Sequence, residues 1–381
     1  MPAPASPNKE PEWLAEHRKA SLERFKTLPS LIKYGLGIFA DTNLLQTPQL
    51  NHASQSTDDQ QITSDSRVEV CTLAEGIEKY PSHIAKCFST VPQDKLLALH
   101  HAIFSTGTVI RVPANTSCKP VQINLTLKSE ARIEFLFIIA EKNSSVTIFD
   151  NAQGGQASYR SQAVHITAQE GATVKYISTQ QFEEQTTSIS RKQASVAKNA
   201  SVTWIDCCLG SKFAQSTTKT ILEEQEAEGK TYGLFFGTNK QVFDLNAQTI
   251  HRASKTSSNM LTKGALNGNA KTIYRGLVRI EQDAHECIGH QKEDTLMLSE
   301  HAEADAVPYL EINNNNVKCG HGATVCQPDK EKIFYLMSRG LSEQEAKKNM
   351  VEGFFEPVIL EINDDAISNQ IRETISRYAE C

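Results

Sequence analysis

Three segments in the middle of the chain share one pattern: Asn143-Ser-Ser-Val146-Thr-Ile148, Gly171-Ala-Thr-Val174-Lys-Tyr176 and Asn199-Ala-Ser-Val202-Thr-Trp204. Each has a turn-forming residue, two small residues, a valine, a polar residue and a large apolar residue. The three valines follow one another at intervals of 28 residues. A unit of strands and turns cannot bury its apolar face alone, but stacked units can. The repeat therefore predicts a parallel β-helix with one coil per repeat.

The same β pattern extends on both sides of the repeat. Residues 109–112, 121–127 and 133–139 are β-branched or aromatic runs that leave no room for helices between them. Looser copies of the repeat begin at Gly229, Ala270 and Ala304. A mainly β core is therefore predicted over 106–327. A β-sandwich is the alternative, but it is not expected to give two identical 28-residue spacings.

The region before this core, 1–105, is predicted to be helical. Apolar residues at helical spacing indicate helices over 11–28, 72–88 and 93–104, and Pro81 is expected to interrupt the second. Between 43 and 66 the chain is rich in Gln, Asn, Ser, Thr and Asp and too poor in apolar residues to pack. That stretch is predicted to be a linker or a long loop.

The C-terminal region, 328–381, is also predicted to be helical. Pro328 suits a first helical position and Gly340 suits a helix end, while Ser342 and Glu345 have the spacing of a capping box. A last helix is marked by isoleucines at helical spacing between 367 and 375. Three short helices could cap the exposed end of the solenoid or form a docking surface, and the pattern leaves both open.

Composition limits the classes of function. The 381 residues contain 39 Lys and Arg against 45 Asp and Glu, a net charge of −6, and no basic run that could grip a phosphate backbone. Nucleic acid is therefore not an expected partner. The chain has no signal-peptide core and no apolar run long enough to span a membrane, so we expect a soluble cytoplasmic protein. Its nine cysteines are scattered and expected to be free thiols in a reducing cytosol.

Three motifs resemble chemical sites but are better explained as structure. Gly229-Lys-Thr resembles the end of a phosphate-binding loop, yet Glu224 stands where that loop needs glycine, so we interpret the motif as a turn between coils. Cys207 and Cys208 are adjacent and would point to opposite faces of a strand. His285, Cys287 and His290 form an isolated cluster without a second ligand pair at zinc spacing.

The most informative chemical segment is Val317-Lys-Cys319-Gly-His321-Gly-Ala-Thr-Val-Cys326. On a strand, Cys319 and His321 would share a face, and Gly320 and Gly322 would leave backbone room beside the imidazole. Thiolate and imidazole are ligands for soft or borderline metals and for iron–sulfur clusters. Two ligands do not complete a site, so further donors must come from elsewhere in the chain or from another subunit. From these residues alone, a packing role for both remains an alternative.

Several motifs in order along the chain resemble the SufB/SufD family of iron–sulfur cluster assembly proteins. They are Asp94–Ser105 with Val112-Pro113, Tyr274-Arg-Gly-Leu-Val-Arg-Ile280, Pro308-Tyr-Leu-Glu-Ile312, Val317–Val325, Ile333-Phe-Tyr-Leu-Met-Ser-Arg-Gly-Leu341 and Gly353-Phe354. The resemblance implies a right-handed parallel β-helix flanked by helical regions. It also implies a non-catalytic scaffold that pairs with a SufB-like subunit and binds SufC, an ATPase of the ABC type. An iron–sulfur cluster would be held transiently and shared with the partner subunit, and a reduced flavin is a further cofactor that the family leaves open.

Two positions bear on which subunit the chain resembles. The alignment puts the cluster-building cysteine of SufB at Glu293, and Gly322 stands where SufB has the glutamate that follows its histidine. Both differences favour SufD. Pro11-Glu-Trp-Leu14 is more similar to the start of SufB, so an atypical member that forms homodimers is also considered.

The resemblance assigns roles to a few residues. His321 matches the SufD histidine at the subunit interface where the cluster forms, and Cys319 matches its neighbouring cysteine. The part of the family implicated in SufC docking matches Phe334, Tyr335, Arg339, Gly340 and Phe354. From the residues alone, Phe334 and Tyr335 could equally be helix-packing residues.

Two enzymatic functions are alternatives to the scaffold. A β-helix enzyme acting on polysaccharide would need clustered Asp or paired carboxylates in a groove, usually behind a signal peptide, and none of these is evident. A hydrolase that used Cys319 and His321 would need contact between nucleophile and base. Residues two apart on a strand lie about 7 Å from each other, so that contact is not expected.

Overall fold

The computed structural model of the chain describes residues 10–35, 38–41, 58–155 and 158–379. Its N-terminal region combines helices with short antiparallel strands: α1 (Glu12–Thr27), β1 (Leu31–Gly35), β2 (Ile38–Asp41), β3 (Asp59–Thr63), β4 (Glu69–Thr72), α2 (Leu73–Lys79), α3 (Pro81–Ala85) and α4 (Lys95–Ile103). The predicted helices are therefore confirmed, and Pro81 separates α2 from α3 as expected.

The predicted linker near 43–66 is wrong at its end. Residues 43–57 lie outside the described part of the chain, but β3 is a strand that pairs antiparallel with a strand of the solenoid. Polar side chains hold it there, because the guanidinium of the buried Arg132 donates to Gln60 at 2.6 Å and to Asp58 at 3.3 Å. This mostly polar segment is thus held as a strand by backbone pairing and polar contacts, and Ile62 packs against the core.

Sixteen strands follow without an intervening helix and wind into a parallel solenoid of about eight turns. They are β5 (Thr106–Val112), β6 (Val121–Leu127), β7 (Ala131–Ala140), β8 (Ser145–Gly154), β9 (Tyr159–Ala168), β10 (Thr173–Phe182), β11 (Thr187–Val196), β12 (Ser201–Cys208), β13 (Phe213–Leu222), β14 (Glu228–Gly237), β15 (Val242–His251), β16 (Ser257–Leu266), β17 (Lys271–Ile280), β18 (Cys287–Met297), β19 (Glu303–Ile312) and β20 (Val317–Cys326). Even-numbered strands form one sheet, closed at one edge by β3, and odd-numbered strands form the other, closed by β4.

The 28-residue repeat is the coil of this solenoid. Val146, Val174 and Val202 pair with one another on the neighbouring strands β8, β10 and β12, and all three are buried in the interior. The rings of Tyr176 and Trp204, two residues further along β10 and β12, meet edge to face with centroids 5.4 Å apart. The predicted mainly β fold with stacked coils is therefore confirmed.

The looser copies of the repeat are wrong. Gly229 lies on β14 opposite Val202, so it occupies the valine position and not the turn position. Ala270 and Ala304 belong to the other sheet, at or just before the starts of β17 and β19. Gly229, Lys230 and Thr231 are therefore strand residues rather than a turn between coils, and Lys230 forms an ion pair with Glu228 at 3.0 Å.

Three helices complete the chain: α5 (Lys330–Ser338), α6 (Glu343–Ile359) and α7 (Asp365–Ala379). The Asp329 side chain caps α5 by accepting from two backbone amides, so the helix begins after Pro328 and the first-position prediction for that proline is wrong. Gly340 adopts φ +100° just beyond α5, as expected for a helix end. The capping box of Ser342 and Glu345 is confirmed at the start of α6.

The helices α6 and α7 are longer than predicted and do not cap the end of the solenoid. Their buried residues, including Phe355 and Ile371, pack on the outer face of the even-numbered sheet against Ile177, Ile205 and Leu234. That sheet is thus apolar on both faces over much of its length. None of the helices in the described part of the chain has the length and apolar character needed to cross a bilayer.

Four histidines, three of them buried and His165 half-buried, lie where the N-terminal helices meet the solenoid. His17 on α1 and His101 on α4 share a hydrogen bond of 2.9 Å between ring nitrogens, and His165 on β9 lies 3.0 Å from the Cys87 sulfur. Burial lowers the pKa of His101 to about 3 and that of His165 to about 4. Burial likewise lowers the pKa of His17 and of His100. All four are therefore neutral in the folded protein near pH 7.

These histidines predict a loss of stability in acid. In the unfolded chain their pKa is about 6.5, so between that pH and the lower folded values the unfolded state binds more protons. The free energy of unfolding should be fully present above pH 6.5 and should fall as the pH drops. His101 and His165 should each contribute a loss of about 2 kcal/mol between pH 7 and pH 5. Urea unfolding at pH 7 and at pH 5 measures this loss of unfolding free energy. The exposed His290 replaced by Gln is the control, and a flat pH dependence would contradict the prediction.

Candidate metal-binding site at the open end of the solenoid

At the C-terminal end of the solenoid, no strand among the described residues pairs with the edge of either sheet. β19 and β20 are the last strands of their sheets, and most of their side chains are exposed. Exposed large apolar residues lie on these strands: Tyr309, Ile312 and Val325. Unpaired strand edges readily add a strand from another chain. This end is therefore the part of the solenoid best suited to pairing.

His321 lies at the mouth of the solenoid interior. On β18 the residues that face the interior alternate from Cys287 to Thr295, and His321 stands opposite one of them, Gln291, in the parallel register. Its side chain is exposed because β20 is the last strand of its sheet in the described part of the chain. A Cβ on the neighbouring Gly322 would meet nothing within 4 Å. The imidazole is thus open to a group approaching from outside.

Cys319 shares the inward face with His321 but is partly packed. It lies opposite Gly289, where a Cβ would come within 3.4 Å of the Cys319 sulfur. Burial raises the pKa of the thiol, although the Gly289 backbone amide opposes this by hydrogen bonding. Neither residue has a hydrogen bond to the other among the described contacts, as the strand spacing predicts. The Cys319 sulfur and the His321 imidazole are therefore neighbouring donors on one face and do not form a catalytic pair.

Two further polar residues lie on β18, the strand next to β20, and the sequence predicted neither of them as a metal ligand. Gln291 and Glu293 face the interior from β18, and Glu293 stands opposite Ala323 on β20. Burial raises the pKa of the Glu293 carboxyl to about 7, while the Thr295 hydroxyl, which donates to it, opposes the shift. The signal available in the sequence was the alternation Gly289, Gln291, Glu293, Thr295, which gives a polar inward face.

The other cysteine and histidine candidates do not converge. Cys287 is buried in the interior, where its thiol lies 3.2 Å from the Thr256 hydroxyl. His285 lies in the preceding turn with its ring nitrogen 3.0 Å from the Asn314 amide, and His290 is exposed on the opposite face of β18. Cys207 faces the C-terminal helices, whereas Cys208 faces the interior. A structural role therefore explains these residues.

A second exposed surface lies on α5, which follows β20 directly. Ile333 is buried and fixes the helix, while Phe334 and Tyr335 are 72% and 56% exposed. The Arg339 guanidinium lies over the Tyr335 ring, 5.3 Å from its centroid, and donates to its hydroxyl at 3.2 Å. Two exposed aromatic rings backed by an arginine form an interaction surface of the kind that carries binding energy.

The remaining docking candidates, Gly340 and Phe354, lie outside α5. Gly340 is exposed and lies just beyond the end of α5. Phe354 on α6 is half-buried, with the Lys263 ammonium 4.5 Å from its ring centroid and the Phe355 ring 5.4 Å away. Lys263 in turn pairs with Asp294 at 2.6 Å. Phe354 thus joins α6 to the solenoid, and only part of its ring is left for a partner.

Comparison with known proteins fits this geometry. The family model described as "SUF system FeS cluster assembly, SufBD core domain" matches residues 124–354, which run from within β6 through the rest of the solenoid and α5 into α6. The match thus includes Cys319, His321 and the exposed aromatic residues of α5.

Curated relatives agree. Proteins called "Iron-sulfur cluster assembly SufBD family protein" from Staphylococcus epidermidis and Staphylococcus aureus are 33% identical to the chain over 298 residues, 76% of this chain and 63% of each relative. One from Staphylococcus saprophyticus is 33% identical over 284 residues, 72% of this chain and 61% of that protein. The chain therefore spans less than two thirds of the length of these relatives. It belongs to the SufBD family of iron–sulfur cluster assembly proteins.

Proposed function

We propose that the chain is a SufD-like, non-catalytic scaffold subunit that pairs with a SufB-like subunit through the open end of its solenoid. One observation carries this proposal: His321 and Cys319 lie on β20, which is also the unpaired edge strand. A strand added to that edge would bring a second set of side chains beside these donors. The cluster would then be cargo held between two chains.

The SufD-like assignment rests on two positions at this end. Glu293 and Gly322 stand where the resemblance expects a cysteine and a glutamate in SufB, so this chain would supply fewer ligands than its partner. A homodimer of this chain is the competing outcome. Nothing among the described residues supports the flavin that the resemblance leaves open, and the proposal does not include one.

A non-catalytic role fits the chemistry of the site. The pKa of the Cys319 thiol is raised by burial, so little of it is the reactive thiolate at neutral pH. Nucleotide hydrolysis would have to come from a partner, because Gly229-Lys-Thr is part of β14 and forms no phosphate-binding loop. We propose that this partner is a SufC-like ABC ATPase and that it docks on α5 through Phe334, Tyr335 and Arg339, with Gly340 and Phe354 beside them.

Co-purification tests the proposal as a whole. The tagged chain is expressed with the SufB-like protein and the ABC-type ATPase from the same source, and the eluted proteins are identified. All three are expected to elute together, and iron and sulfide are expected to accumulate on the complex after anaerobic reconstitution. Elution of the chain as a homodimer would contradict the heterodimer. Elution without the ATPase would contradict the docking role of α5.

Charge placed on the open edge should separate the two scaffold subunits. Replacing Tyr309 and Val325, which are 48% and 44% exposed on the two edge strands, with Lys is expected to weaken pairing with the SufB-like chain by roughly a hundredfold. The buried interface would have to accept two unpaired ammonium groups. Titration monitored by light scattering measures the affinity. Leu360→Lys, an exposed apolar residue on neither edge strand, is the control, and unchanged pairing of the double variant would exclude this surface.

A further inference from the structure

Two buried oxygen atoms just inside the open end have no hydrogen-bond partner among the described residues. They are Oε1 of Gln291 and Oε2 of Glu293, on side chains that are 4% and 1% exposed. Their other polar atoms are engaged: the Gln291 amide donates to the Gly276 carbonyl at 3.4 Å, and Thr295 donates to Oε1 of Glu293. Buried polar groups are normally satisfied, so these two oxygens call for a partner that is not a described residue.

Both residues face the solenoid interior on β18, the strand next to the one that carries His321. Gln291 is opposite His321 across the strand pair, and Glu293 is opposite Ala323, two residues further along β20. Adjacent strands lie about 4.8 Å apart, so an imidazole and a carboxylate at neighbouring inward positions can reach one bound ion. Ala323 is small and exposed, and it therefore leaves a way in past the edge strand.

Cys319 is on the other side of His321 from Glu293. It stands opposite Gly289, whereas Glu293 is four residues further along β18, and alternate residues on a strand are about 7 Å apart. One ion cannot therefore be shared by the Cys319 sulfur and the Glu293 carboxylate. His321 lies between them, and the ion it shares with Glu293 has nitrogen and oxygen donors only.

We propose that Glu293, Gln291 and His321 form a half-site that binds one ferrous ion through nitrogen and oxygen donors, without the Cys319 thiol. This assignment rests on the proposed scaffold function and makes the chain the subunit that contributes iron. One imidazole and one carboxylate with open positions is a donor set suited to Fe²⁺, and a neutral amide oxygen adds a third hard donor.

The half-site leaves room for a partner's ligands. Across the described residues, no three His, Cys, Asp or Glu side chains converge as a complete metal site. Two such donors and an amide leave coordination positions vacant on a bound ion, and these face the open end. Sulfide and donors from a paired chain can therefore complete the coordination.

Metal binding by the full-length chain tests the inference. Anaerobic equilibrium dialysis measures Fe²⁺ affinity, and Co²⁺ absorbance in the visible range reports the donor type. Glu293→Gln keeps the shape of the side chain and removes its charge, and it is expected to weaken Fe²⁺ binding at least tenfold, as is His321→Ala. Cys319→Ser and the control Asp305→Asn, an exposed acidic residue on β19, should stay within twofold of wild type.

Several results would overturn the assignment. They are a wild-type chain that binds no Fe²⁺, a Glu293→Gln variant within twofold of wild type, and a Co²⁺ spectrum with thiolate charge transfer that disappears in Cys319→Ser. The melting temperature of each variant without metal shows whether the replaced residue is needed for folding. Glu293→Gln is expected to melt no lower than wild type, because it removes a carboxylate that is not fully partnered, and a much lower melting temperature would make Glu293 a folding residue.

Cluster assembly separates this inference from the proposed function. If the assembled wild-type complex gains a cluster but Glu293→Gln leaves the Fe²⁺ affinity of the chain unchanged, the half-site is wrong and the scaffold function stands. If Fe²⁺ binds through Glu293 but the wild-type complex gains no cluster, the half-site stands and the scaffold function is wrong.

Discussion

Replacing both Phe334 and Tyr335 with Asp is expected to abolish binding of the ABC-type ATPase while leaving the fold intact. The two rings are 72% and 56% exposed, so they contribute little to the stability of the chain. Exposed aromatic residues at the centre of an interface commonly contribute about 2 kcal/mol or more each, so affinity should fall by roughly a thousandfold. Calorimetric titration of the purified ATPase into the full chain measures the loss.

The melting temperature and a matched variant provide the controls. Surface substitutions usually change stability by less than about 0.5 kcal/mol, which corresponds to a shift of about 2 °C or less for a chain of this size. Leu360 is 64% exposed and lies beyond α6, so Leu360→Asp should retain full binding. Retained ATPase binding by the aspartate pair would show that α5 is not the docking surface.

Deleting the whole C-terminal region would not be an equivalent experiment. Phe355 and Ile371 on α6 and α7 are fully buried against the even-numbered sheet, where they cover Ile205 and Leu234. Removing them would expose a large apolar face and favour aggregation. Docking is proposed for α5, whereas α6 and α7 cover the sheet, so point substitutions on α5 are needed to test docking without disturbing folding.

The part of the fold that sequence reasoning predicted is the part in which turn chemistry repeats. Asn143 and Gly171 adopt φ of +54° and +69°, conformations that these residue types accept readily. Later coils place Glu226, Lys255 and Glu286 at φ of +61°, +60° and +57°. These residues give no turn signal, and so the regular repeat ended in the sequence while the solenoid continued in space.

The C-terminal helices were predicted from their own periodicity, but the sheet face that they cover was not predicted. The apolar outward residues Ile177 and Ile205 look like ordinary strand residues, and only a sheet buried on both faces indicates a covering layer. The same limit applied to the site. The shared face of Cys319 and His321 followed from strand alternation. The placement of Gln291 and Glu293 on the neighbouring strand depends on the register between β18 and β20, in which paired residues are 30 positions apart.

Replacing His321 with Ala is expected to reduce cluster formation by the assembled complex at least tenfold and to leave partner binding and melting temperature unchanged. The imidazole is exposed at the mouth of the interior and has no hydrogen bond to another described residue, so its removal costs the fold little. It would be lost as a metal donor, which alanine cannot replace. Visible absorbance and iron content after anaerobic reconstitution measure the cluster.

His290 supplies the matched control, because it is an exposed histidine on the neighbouring strand β18 that points to the opposite face. His290→Ala should form as much cluster as wild type, since its imidazole lies outside the solenoid interior. An equal loss in both variants would indicate a general effect of surface histidines rather than a site at the mouth. If His321→Ala melted well below wild type, its main role would be packing. If its cluster content were unchanged, the donor at the interface would have to be another residue, and the coincidence of His321 with the unpaired edge strand would carry no function.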